Sequence, residues 1–181
     1  FYNANVALAS AKRLRQDGGA QMVKLEGNRS QINIIKKLAL SDIPICAHIG
    51  LRPQSVNKMG GYKVQGKSSN EANALIQEAK KIEDSGADLL LLECVSSQTA
   101  KELASEISIP IIGIGAGSEV DGQILVLYDI LGISQGQLPK FSKNYMDGNN
   151  TIEDAIKQYI QEVKTLKSVS YTHLRAHETE L

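Results

Sequence analysis

The chain has 181 residues, with 20 lysines and arginines against 20 aspartates and glutamates, 42% hydrophobic residues, 4% aromatics and no tryptophan. That is the size of one domain or of part of a larger one. The even charge argues against a nucleic-acid partner, and no apolar run reaches the roughly 20 residues that a membrane helix needs.

Residues 1–5 carry neither an initiator methionine nor a signal peptide's charged and apolar regions. Ala4 to Arg15, with Val6, Ala7, Ala9, Ala11 and Leu14, reads as a helix already under way, so the chain is expected to begin inside a longer protein. Two strand patterns then occur twice. Gly19-Ala-Gln-Met-Val-Lys-Leu-Glu26 matches Gly86-Ala-Asp-Leu-Leu-Leu-Leu-Glu93, and Ile43-Pro-Ile-Cys-Ala-His-Ile-Gly50 matches Ile109-Pro-Ile-Ile-Gly-Ile-Gly-Ala116. Nearly equal offsets indicate a duplicated two-strand unit. The runs are short and almost wholly apolar, as in parallel strands covered on both faces, and two of them are expected to start at Pro44 and Pro110.

Amphipathic helices lie between the strands. One is predicted from Ser69 to Asp84, with Ser68 and Glu71 spaced as a capping box and Gly86 just past its end. A second covers Ser97 to Glu106. Residues 121–131 suit a helix better than a strand, and residues 139–144 are a candidate further strand. Ile152, Ala155, Ile156, Tyr159, Ile160 and Val163 form a helical stripe. Residues 169–179 have no apolar periodicity and resemble one reading frame of a sequencing adapter. Residues 168–181 are therefore set aside as a non-native tail, leaving residues 1–167 as one domain. With the tail go His173 and His177, whose spacing imitates a metal-binding pair.

The alternation is that of an α/β fold. An open doubly wound sheet is compatible with it; a TIM-type (β/α)8 barrel is favoured, because it repeats equivalent units and gathers polar groups at strand C-termini. Alternation along the first strand puts Lys24 and Glu26 on one face. The repeat puts Glu93 where Glu26 stands in its own unit, and His48 lies at similar depth. A carboxylate closing an apolar strand holds its proton nearer neutral pH, which suits a general base. Each residue also has a plain structural reading: Lys24 and Glu26 as an ion pair, Glu93 as a helix cap, His48 as a hydrogen-bonded core residue. Cys46 and Cys94, both in apolar runs, read as buried thiols of a cytoplasmic protein, with no disulfide or zinc site.

The connection from Leu51 to Gly66 is long enough to be a lid or binding loop, with Gly60, Gly61 and Gly66 as hinges. Gly113 to Gly117 lacks dinucleotide-fingerprint spacing and reads instead as a tight turn that brings backbone close to a substrate.

Together these segments resemble the ketopantoate hydroxymethyltransferase (3-methyl-2-oxobutanoate hydroxymethyltransferase) family. The resemblance rests on Met22-Val-Lys-Leu-Glu-Gly27, His48-Ile-Gly-Leu-Arg-Pro-Gln-Ser-Val56, Gly60-Gly-Tyr-Lys-Val-Gln-Gly66, Leu91-Leu-Glu-Cys-Val95, Ile111-Ile-Gly-Ile-Gly-Ala-Gly117, Asp121-Gly-Gln-Ile-Leu125 and Pro139-Lys-Phe141. It implies a Mg²⁺-dependent (β/α)8 barrel of the phosphoenolpyruvate mutase-like group, cytoplasmic and homo-oligomeric (a decamer in the family). It also implies transfer of a hydroxymethyl group from 5,10-methylenetetrahydrofolate to 3-methyl-2-oxobutanoate, giving 2-dehydropantoate for pantothenate and coenzyme A synthesis. Carried over by motif, Glu93 is the base at C3, Lys24 binds the oxo acid, His48 lines the substrate pocket and Glu26 is a metal ligand. The family's Gly-Asp-Ser segment and a further aspartate are expected before residue 1. The barrel is then incomplete, and the chain inactive by itself. The Gly60–Gly66 motif favours this family over another Mg²⁺-dependent 2-oxo acid lyase or mutase of the barrel group; a non-catalytic barrel fragment is the remaining alternative.

Overall fold

The computed structural model describes residues 3–27, 31–55, 63–136 and 138–167. The tail, with His173 and His177, and the Gly60-Gly61 pair lie outside them. Helix α1 (Ala4–Gln16) leads into β1 (Val23–Glu26), followed by α2 (Gln31–Ala39), β2 (Ile45–Gly50), α3 (Ser69–Glu83), β3 (Leu89–Glu93), α4 (Ser97–Glu106) and β4 (Ile111–Ile114). A short β5 (Gly122–Gln123), α5 (Leu127–Ile130) and α6 (Ile152–Lys164) complete the order. All five strands are parallel and stand in sequence order, β1-β2-β3-β4-β5. A doubly wound sheet would reverse its order part-way; this one does not.

Alternation sorts the side chains. Val23, Leu25, Ile45, Ala47, Ile49, Leu90, Leu92 and Ile111 face the helices and build the core with Ile34, Ile35 and Leu38 of α2, Ile76, Ala79 and Ile82 of α3, and Ala100 and Leu103 of α4. The opposite face carries Lys24, Glu26, Cys46, His48, Leu91, Glu93, Ile112 and Ile114, in register from strand to strand.

The sequence repeat reappears as a repeated clasp. The backbone N–H of Ile45 donates to Asp88 Oδ2 at 2.8 Å, and the Asp88 N–H donates back to the Ile45 carbonyl at 3.0 Å. Ile111 and Asp121 make the same pair, at 2.8 and 3.0 Å. The carbonyls of Pro44 and Pro110 accept from Val23 and Leu90. These prolines therefore sit one residue ahead of β2 and β4 and not inside them, and serve as acceptors where they have no N–H to give.

The predicted helices α1, α3, α4 and α6 are present, and Ser68 and Glu71 make the full capping box on α3. Two expectations fail. Residues 121–131 are not one helix: the Asp121 clasp draws Gly122 and Gln123 into the sheet, and only Leu127–Ile130 coils. Residues 139–144 form turns and no strand. The Ser142 N–H closes a turn on the Pro139 carbonyl at 2.8 Å, the Ser142 hydroxyl donates to Asp129 Oδ2 at 3.0 Å and Asn144 Nδ2 donates to Asp147 at 2.9 Å. A second, small core holds α5 and α6 together around Ile130, Tyr145 and Ala155. There Tyr145 meets Tyr159 edge-on at 5.5 Å and donates its hydroxyl to Glu162 at 3.0 Å. No helix among the described residues is long and apolar enough to cross a membrane.

Candidate active site

The register of β1, β2 and β3 assembles the site on the helix-free face. Lys24 pairs with Cys46, Glu26 with His48, and Gly50 with Glu93. His48 is at the centre, with no exposed surface. Its Nδ1 stands 3.6 Å from Glu26 Oε2 and its Nε2 stands 3.3 Å from Glu93 Oε2; the two carboxylate side chains keep 17% and 13% exposure. Neither ring nitrogen makes a hydrogen bond. An imidazole this deeply buried is ordinarily bonded on both sides.

This placement decides between the structural readings. Glu26 turns to His48, and among the described residues no ion pair joins it to Lys24. Glu93 does not cap α4; Ser96 does, accepting from the Thr99 N–H at 3.3 Å. His48 is buried but is not a satisfied core residue. The four sequence-predicted residues lie on one face, with Lys24 the most exposed of them.

Glycine makes the approach of β2 to β3 possible. Gly50 has φ +90°, and a Cβ there would lie 2.3 Å from the Glu93 carbonyl oxygen, which instead accepts from the Leu51 N–H at 2.8 Å. The chain leaving β3 is held as firmly. Cys94 sits in the left-handed region at φ +51°, donates its N–H to the Ile114 carbonyl and accepts from Gln65.

The long connection is anchored at both ends. Arg52 Nη1 donates to the Gly27 carbonyl at 3.0 Å, tying the ends of β2 and β1. The Ser96 and Thr99 hydroxyls donate to the Gly66 carbonyl at 3.1 and 2.7 Å, making Gly66 a fixed anchor, in contrast to its expected role as a hinge. The turn after β4 packs against protein: a Cβ on Gly115, at φ +63°, would meet the Phe141 ring at 2.6 Å.

Both cysteines are free thiols, as expected. Cys94 is buried, and burial pushes its thiol up to about 11, with the Glu93 carboxylate adding to the rise. Cys46 is only half-buried, contrary to expectation, because it faces the open side. Burial raises it, and the neighbouring Lys24 ammonium lowers it in part. Its place was readable from the two-residue period it shares with His48. Arg52 was not: its bond to Gly27 depends on β1 lying beside β2. A separate cleft of about 420 Å³, lined by Lys12, Arg15, Gln21 and Ile43 among others, opens at the other ends of the strands, away from this chemistry.

A parallel sheet with helices on one face, and acid, imidazole and ammonium groups gathered toward the strand C-termini on the other, is the plan of an α/β enzyme. The residue pattern of the ketopantoate hydroxymethyltransferase family runs through residues 2–168, and the chain belongs to that family. It is 51% identical over 158 residues to 3-methyl-2-oxobutanoate hydroxymethyltransferase of Alkalilimnicola ehrlichii, covering 87% of this chain and 57% of the relative. It is 51% identical over 159 residues to 3-methyl-2-oxobutanoate hydroxymethyltransferase 2 of Hahella chejuensis, covering 88% and 60%. To 3-methyl-2-oxobutanoate hydroxymethyltransferase of Buchnera aphidicola it is 46% identical over 164 residues, covering 91% and 62%. The chain thus spans about three-fifths of the length of these relatives.

Proposed function

We propose that these residues form part of the active site of a hydroxymethyltransferase that converts 3-methyl-2-oxobutanoate to 2-dehydropantoate, with 5,10-methylenetetrahydrofolate as the one-carbon donor. The observation that carries the reading is His48, buried without a hydrogen bond between Glu26 and Glu93. The family membership and the names of the relatives support the same chemistry.

Lys24, exposed on the open face, suits the charged end of the oxo acid. Glu93 is the base: it takes the C3 proton, and the C3–H electron pair becomes the C2–C3 double bond of an enolate. Water first hydrolyses the two carbon–nitrogen bonds of the folate's methylene bridge, releasing tetrahydrofolate and leaving the one-carbon unit as an aldehyde. The nucleophilic C3 then adds to that carbonyl carbon, whose C=O π pair moves to oxygen and takes up a proton to become the hydroxyl of the new hydroxymethyl group. His48 keeps the two carboxylates on opposite sides of its ring, so that Glu26 does not compete for the place of Glu93.

Mg²⁺ binds through one or two carboxylates together with substrate oxygens and water. Glu26, partly exposed and without a cationic partner in the lysines nearby, fits as one such ligand. Among the described residues no group of three acidic, histidine or cysteine side chains can hold a metal; further protein ligands would come from elsewhere in the protein. Bound there, the metal would stabilise the negative charge on the oxo oxygen.

The five strands are read as five staves of an eight-stranded barrel of the phosphoenolpyruvate mutase-like group. Their sequential order, the packing of α1 to α4 against one face and a cluster of polar groups on the other support this. Homo-oligomeric assembly and a cytoplasmic setting complete the proposal. The test is turnover by the chain completed with the part of the Alkalilimnicola ehrlichii relative that it does not match. Glu93→Gln should lower kcat at least about 100-fold while leaving oxo acid binding in place; unchanged turnover would remove Glu93 as the base.

A further inference from the structure

The open face is divided between two kinds of surface. Along one row of the register stand Glu26 on β1, His48 on β2, Leu91 on β3 and Ile112 on β4. The next row toward the strand ends pairs Glu93 with Ile114. The β1–β2 half is therefore polar, with Lys24 one row below. The β3–β4 half is apolar except for Glu93, which reaches back to within 3.3 Å of His48 at the border. Leu91 and Ile114 are 9% and 7% exposed, yet neither belongs to the core between the sheet and the helices. They are apolar side chains collected on the face that carries the chemistry.

We propose that Leu91, Ile112 and Ile114 are the specificity-determining wall of this site, accepting the branched alkyl end of a 2-oxo acid while the polar half takes its two oxygen-bearing carbons. The inference rests on the reading of the site as a 2-oxo acid site and adds which residues choose among such acids. A 2-oxo acid is amphiphilic, with charge at C1, a carbonyl at C2 and only carbon beyond. Reversing it would set a carboxylate against leucine and isoleucine with no compensating partner. In the favoured orientation C3, the junction between the two halves of the molecule, falls at the junction between the two halves of the face. That is where the Glu93 carboxylate lies. One orientation thus serves both selection and proton removal: an acid without a branch at C3 leaves the wall uncovered.

The test is binding to the chain completed with the part of the Alkalilimnicola ehrlichii relative that it does not match, with labelled leucine and isoleucine methyls, followed by NMR in the presence of Mg²⁺. The probes are pyruvate, 2-oxobutanoate and 3-methyl-2-oxobutanoate. The methyl signals of Leu91 and Ile114 should shift increasingly along that series, while those of Leu90 and Leu92, on the other face of the same strand, stay in place. Leu91→Ala should weaken the branched acid roughly tenfold relative to pyruvate, the scale of a lost apolar contact in a substrate pocket. If Leu91→Ala already disturbs the Leu90 and Leu92 signals without ligand, Ile114→Val serves instead, with a smaller change in the same direction. Binding of all three acids with an unchanged ratio would overturn this inference alone. Binding of none would overturn it together with the proposed function.

Discussion

His48 has no exposed surface and no hydrogen bond, yet a carboxylate stands within 4 Å of each ring nitrogen. A side chain held that way is sensitive to shape and to hydrogen-bonding capacity separately. In the completed enzyme, His48→Leu should lower kcat by at least about tenfold, since Glu93 loses its neighbour and two carboxylates are left facing across an apolar gap. His48→Asn should keep part of the rate, which a kcat and KM comparison of the two variants would show. The thiols give a pH prediction. Burial lifts Cys94 from the ordinary 9.0 to about 11, so the folded chain holds this proton more tightly than the unfolded one. The stability it contributes is complete below pH 9 and is lost as the pH rises through about 11. Thermal melts of the wild type should therefore fall across that interval more steeply than those of Cys94→Ala. The sequence revealed much at this scale: a two-residue period put Lys24 and Glu26 on one face, and the repeat singled out Glu93. It could not reveal that Glu26 stands beside His48, because that depends on how β1 registers against β2.

The elements were legible where their signals are local. The capping box of Ser68 and Glu71 set the start of α3, and Ser97–Glu106 is helical over the whole predicted range. They were not legible where a distant partner decides. Asp121 is drawn to Ile111 of the preceding strand, and this turns an apparently helical stretch into a strand, an extended link and a single helical turn. The same clasp at Asp88 makes the pair a device of the fold. A backbone hydrogen bond to a charged acceptor contributes about 1.5–3 kcal/mol, so Asp88→Ala and Asp121→Ala should each lower unfolding free energy by roughly 2 kcal/mol, read from urea midpoints. Gly50→Ala tests the contact between β2 and β3. A side chain at φ +90°, where Cβ would lie 2.3 Å from the Glu93 carbonyl oxygen, should cost about 2 kcal/mol or more and displace Glu93 as well.

For the whole molecule, the pattern of exposed apolar side chains carries the argument. Among the described residues the large exposed ones are Val6, Leu14, Met22 and Leu40 toward one side of the sheet and Ile124, Val126, Leu127, Tyr128, Ile133, Ile152, Ile160 and Leu166 toward the other; none falls between residues 41 and 123. The middle units cover their large apolar side chains more completely than the outer two do, which leaves apolar surface at both ends of the sheet. The helical stripe on α6 was read correctly as a helix, but only Ala155 of it is buried; sequence periodicity reports which face is apolar, not what covers it. The (β/α)8 barrel proposed above would need three more units than the five strands seen here, and the relatives, of which the chain spans 57–62%, are longer than this chain. The most direct measurement is deuterium exchange at C3 of 3-methyl-2-oxobutanoate in D₂O with Mg²⁺ and no folate, which isolates the proton-removal step. The chain completed with the unmatched part of the Alkalilimnicola ehrlichii relative should erase the C3 proton signal, whereas the Glu93→Gln form of that protein and the 181-residue chain alone should leave it intact. Exchange that persists in the Glu93→Gln protein, or that the uncompleted chain performs unaided, would contradict the account.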